Sequence, residues 1–126
     1  MLLSVVLIQA QQVKITGTKD SLPFKTVVIK DSGSETAETY LRNSTIVRFW
    51  VFKAGSTADV EKIVKVFRNA EGVKELKEGE VNGDYKEFVL HLSSARDMAW
   101  YKKQLAVAGL THLKFNSGPA RPVSAL

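Results

Sequence analysis

Ser56-Thr57-Ala58-Asp59 opens, and Ala70-Glu71-Gly72-Val73 closes, a stretch in which Val60, Ile63, Val64 and Phe67 recur at helical spacing. A second copy runs from Ser94-Ala95-Arg96-Asp97 to Val107-Ala108-Gly109-Leu110, with Met98, Tyr101, Leu105 and Ala108 on one face. In each copy the serine hydroxyl is spaced to accept from the backbone N–H three residues on. The aspartate is spaced to reach back to the serine N–H and to favour the positive end of the helix dipole. The repeated unit therefore predicts two helices, each opened by a capping box with Asp in place of the usual Glu and each stopped by a left-handed glycine.

Strands flank these helices. Thr45 to Lys53 alternates and is rich in β-branched and aromatic residues. Val73 to Val81 reads as a charged edge strand, Asn82-Gly83 as a tight hairpin turn, Tyr85 to Leu92 as its partner strand and Thr111 to Phe115 as the last strand. The order β-α-β-β-α-β over residues 44–116 predicts an α+β, ferredoxin-like antiparallel sheet with two helices on one face.

The rest of the chain is weaker in signal. Residues 11–43 hold two short alternating runs, Gln12 to Thr16 and Phe24 to Lys30, and a polar stretch Asp31 to Thr36; strand, turn and linker are all open there. Residues 117–126, with two prolines and a glycine, are expected to be irregular. Residues 1–10 are apolar, too short to span a bilayer, and end in a small residue suited to a signal peptidase; the other reading is a buried strand from Leu3 to Ile8. The signal-peptide reading predicts a periplasmic or secreted protein. There is no cysteine, so neither disulfides nor thiol chemistry enters in any compartment.

Composition narrows function mostly by exclusion. The chain of 126 residues carries a net charge of +5, with thirteen lysines and five arginines scattered along it, and 44% hydrophobic residues. That charge permits an anionic partner and equally suits a solvated surface. No Ser-His-Asp pattern, phosphate-cradling glycine loop, zincin motif or calcium loop is present, and Glu71, Glu75, Glu78 and Glu80 read as a solvated edge, so no enzyme and no cofactor is expected.

Period-two alternation turns Val47, Phe49, Val51, Phe88, Leu90, Leu92, Leu113 and Phe115 toward the helices. The opposite face then carries Ile46, Arg48, Trp50 and Phe52, with Tyr85, Glu87, Val89 and His91 and with His112 and Lys114. Arg48, Trp50, Tyr85, His91, His112 and Lys114 form the candidate ligand face, an aromatic and basic surface suited to stacking a base or a sugar ring. The alternative is that residues 11–43 lie over this face and bury Trp50 as a second small core. His91 and His112 belong to strands two intervals apart, about 10 Å, too far to share a zinc ion.

The glycine ends, Gly72-Val73 and Ala108-Gly109, resemble those of the heavy-metal-associated domain, a small ferredoxin-like copper-chaperone fold, over about Ile46 to Phe115. Counting back from Gly72, the positions of that family's two cysteines fall near Ser56 and Asp59, so the resemblance implies the fold without its metal ligands, because Cu(I) selects thiolates. The chain is also similar to the SPOR domain, another two-helix ferredoxin-like module, in its two-half organisation and in Gly55-Ser56 after the first strand. That resemblance implies binding to peptidoglycan glycan strands lacking stem peptides. RNA-recognition domains share the topology but need aromatics two apart on the third strand; Tyr85 and Phe88 are three apart and face opposite sides, so no nucleic-acid partner is expected.

Overall fold

The structure is a computed structural model that describes residues 22–33 and 35–126. The expectations for residues 1–10 and for Gln12 to Thr16 lie outside the described residues. Among those described, the chain is α+β, with six strands in one sheet and three α-helices.

The elements in chain order are β1 (Thr26–Ile29), α1 (Ala37–Arg42), β2 (Ile46–Phe52), α2 (Thr57–Arg68), β3 (Val73–Asn82), β4 (Tyr85–Leu92), α3 (Met98–Val107), β5 (His112–Phe115) and β6 (Arg121–Pro122), followed by a 3-10 turn at Val123–Ala125. The sheet order is β3-β4-β2-β1-β5-β6. The four-strand sheet expected from residues 44–116 is thus incomplete. β1 lies between β2 and β5, antiparallel to the first and parallel to the second, and β6 extends the sheet beyond β5.

β1 is central for a physical reason visible in its side chains. Thr26, Val27, Val28 and Ile29 are all buried, because a strand with neighbours on both edges and side chains on both faces has little contact with water. The Thr26 hydroxyl donates to the Pro23 carbonyl at 2.6 Å, which satisfies the polar group that this burial would otherwise strand. Thr36 caps α1 by accepting from the Thr39 N–H, and Leu41 on that helix is fully buried. β1 and α1 are therefore part of the fold itself, and residues 11–21, the rest of the segment that could cover the Trp50 face, lie outside the described residues.

The two helix units differ in how they are closed. At α2 the capping box forms as expected: the Asp59 N–H donates to Ser56 Oγ at 3.2 Å, and the Ser56 N–H donates to Asp59 Oδ2 at 2.9 Å. α2 ends at Arg68 with Asn69 as its cap, and Gly72, at φ +86, turns the chain three residues later. At α3 the start moves: Asp97 is the cap and accepts from the Trp100 N–H at 3.0 Å, so no capping box forms at Ser94. Residues 94–96 stay outside the helix, and the Arg96 guanidinium lies against Gly72 and over the Trp100 ring. The stop of α3 is a Schellman motif, in which the Leu110 N–H donates to the Leu105 carbonyl and the Gly109 N–H to the Ala106 carbonyl, with Gly109 at φ +82.

One core forms between the sheet and the helices. Val47, Phe49, Val51, Phe88, Leu90, Leu92 and Leu113 point into it as the alternation predicts, and all three helices send residues to meet them: Leu41, Ile63, Phe67, Tyr101 and Leu105. Phe49 stacks on Phe88 at 5.3 Å and meets Phe67 at 5.8 Å. Within residues 117–126, expected to be irregular, residues 117–120 form no helix or strand, while Arg121–Pro122 form β6 and Val123–Ala125 a 3-10 turn against this core. Arg121 pairs with Glu38 on α1 at 3.1 Å, the Val123 N–H donates to the Thr111 carbonyl, and Val123 is buried. Pro122 is tolerated because β6 is an edge strand. No helix of the described residues is long and apolar enough to cross a membrane.

Candidate binding face

The sheet face opposite the helices is laid out by strand register. Glu87 on β4, Trp50 on β2, Val28 on β1 and Lys114 on β5 form one row across the sheet. The adjoining row is Tyr85, Phe52, Thr26 and His112. Arg48 lies opposite Val89 on the other side of the Trp50 row, and His91 opposite Ile46 one row further.

A groove of about 520 Å³ lies on this face, lined by Leu22, Val28, Lys30, Trp50, Asn82, Tyr85, Lys114 and Asn116. It brings together three of the six predicted face residues: Trp50, Tyr85 and Lys114. Trp50 is half-buried, and Lys114 is held by donating from Nζ to the Gly118 carbonyl at 2.7 Å. Asn116 adopts φ +53 and accepts through Oδ1 from the Asp31 N–H at 2.7 Å, which fixes the turn after β5 against the end of β1.

The other three predicted residues stand apart from the groove. Arg48 is paired with Glu87 at 3.2 Å. His112 sits in the Phe52 row, with Nδ1 at 3.0 Å from Thr111 Oγ1. His91 and His112 are separated by three strand intervals rather than two, about 14 Å, because β1 intervenes, and by about 20 Å along the strands. Phe52 was expected on the exposed face, but it is 1% exposed because it packs on Tyr85 at 5.3 Å with Lys53 beside its ring.

Leu22, Val28, Lys30, Asn82 and Asn116 were not anticipated. Val28 and Lys30 alternate within the run Phe24 to Lys30, but alternation does not say which strand is the neighbour. Pairing Val28 with both Trp50 and Lys114 needs the tertiary fold.

At the place where the first resemblance puts thiolates, Asp59 is engaged as a helix cap. The Ser56 N–H and hydroxyl, with Lys25 at 3.4 Å, hold its carboxyl below the usual carboxylate range. Among the described residues no group of three or more His, Asp or Glu is placed to hold a metal ion. Comparison with known proteins returns no match: no family model fits the sequence, and no curated protein or solved structure matches it.

Proposed function

We propose that this chain is a non-enzymatic binding module that works outside the cytoplasm, periplasmic or secreted, and takes its ligand in the Trp50 groove. In this reading the segment β2-α2-β3-β4-α3-β5 is a ferredoxin-like βαββαβ unit, and β1 is a strand added within its sheet between β5 and β2. The unit is of the heavy-metal-associated kind without metal ligands, a reading supported by the use of Ser56 and Asp59 as a cap. Titration with Cu(I) and Zn(II) tests that part, and tight stoichiometric binding of either would sink it. Export rests on the apolar residues 1–10.

The observation that carries the binding reading is Trp50, half-buried in a groove on the face opposite the helices. Binding sites are concave and largely apolar with a few polar groups, and this groove pairs an indole and a phenol with two amides and two ammonium groups. Such a lining suits a sugar ring, whose C–H face packs on an indole while its hydroxyls meet the polar rim. The SPOR-like resemblance points to the same ligand class, glycan strands of the cell wall. The test is co-sedimentation with peptidoglycan stripped of stem peptides, comparing the native protein with Trp50→Ala. Equal recovery of the two proteins, or recovery of neither, counts against the reading.

A further inference from the structure

We propose that the sugar bound in this groove is an acidic one, with its ring on Trp50 and its carboxylate between Lys30 and Lys114. This rests on the glycan reading of the same groove. The first ground is charge. Lys30 and Lys114 both line the groove, and among the described residues no carboxylate does. Glu87 shares the Trp50 row, but its charge is met by Arg48 at 3.2 Å, and among the described residues neither lysine has a carboxylate partner.

The second ground is placement. Val28 pairs with Lys114, and Lys30, the residue after β1 ends, lines the same groove. Two like charges lining one groove repel, and an anion seated between them relieves that repulsion. Lys114 is already oriented by one hydrogen bond to the Gly118 carbonyl, and an ammonium group has two further N–H donors. Less side-chain freedom then remains to be lost on binding.

The third ground is spacing. Val28 separates Trp50 from Lys114 by one strand on either side, so their backbones are roughly 10 Å apart. A ring stacked on the indole with a carboxylate projecting toward β5 spans that interval. A neutral sugar would desolvate the two ammonium groups without replacing their water by an anion.

The experiment is isothermal titration of the full chain with three probes: peptide-free glycan strands bearing free lactyl carboxylates, the same strands with those carboxylates amidated, and a single-stranded oligothymidylate. The native strands are expected to bind at least about tenfold more tightly than the amidated ones. A Lys30→Gln, Lys114→Gln double variant, checked for folding by far-UV circular dichroism, should bind native and amidated strands equally. Equal binding of native and amidated strands overturns the acidic assignment and leaves the glycan reading standing. Failure of the folded protein to bind either strand overturns both, as does tighter binding of the oligonucleotide.

Discussion

Shortening one valine in β1 and one in β3 applies the same chemical change to opposite environments. Val27 is 2% exposed, pairs with Val51 on β2 and Leu113 on β5, and belongs to the core cluster; Val81 is 66% exposed on the edge strand. Val27→Ala removes two methyl groups at about 0.8 kcal/mol each, and a residual cavity of roughly 40 Å³ adds about 1 kcal/mol. The expected loss is roughly 2–3 kcal/mol, equivalent to a fall in Tm of about 10 °C or more. Val81→Ala should stay within about 0.5 kcal/mol. Urea denaturation followed by far-UV circular dichroism reads both, as a shift in midpoint at unchanged slope. If Val27→Ala cost no more than Val81→Ala, β1 would not be a central strand, and the row that joins Trp50, Val28 and Lys114 would fall with it.

Three further outcomes follow from local geometry. Ser56→Ala and Asp97→Ala should each cost about 1 kcal/mol by removing a helix cap, whereas Ser94→Ala should cost only a few tenths; equal losses at Ser56 and Ser94 in thermal melts would contradict the asymmetry of the caps. Gly72→Ala should destabilise more than Gly109→Ala, which is expected to cost about 1 kcal/mol, because both sit at positive φ but a methyl group at Gly72 also meets the Arg96 guanidinium; the reverse ranking would refute the packing of Arg96. Burial pushes the Tyr101 phenol up from its ordinary value of 10.0, and among the described residues its hydroxyl has no hydrogen-bond partner. The folded state thus holds that proton more tightly than the unfolded chain, so this contribution is intact below pH 10.0 and is lost as pH rises above it. Tyr101→Phe should flatten the alkaline fall in stability at little cost near neutrality, and an unchanged pH profile would count against the assignment.

What could be read without coordinates was local. Helical spacing placed α2 and α3, alternation placed β2, β4 and β5 with their faces, and Asn82-Gly83 placed the hairpin, which closes with Gly83 at φ +61. These signals survive because caps, turns and periodicity involve residues only a few positions apart. Where a local signal failed, side-chain packing had intervened. Ser94 has the spacing of a capping serine, yet Asp97 takes the cap, with Arg96 docked on Gly72. Phe52 alternates onto the open side, yet Tyr85 and Lys53 close over it. α1 has only six residues, too few to show a periodic face.

For the candidate site the division is sharper. Parity along each strand, with the apolar set of each turned to the helices, is enough to put Trp50, Tyr85 and Lys114 on one face. That Val28, Lys30 and Asn116 join them follows from long-range strand pairing. That juxtaposition requires β1 to enter the sheet between β2 and β5, a pairing of residues more than eighty positions apart in the case of Val28 and Lys114. Strand pairing is selected by the burial of whole faces and by backbone hydrogen bonds summed along both edges. A four-residue run such as Thr26–Ile29 carries no mark of which neighbours will supply them.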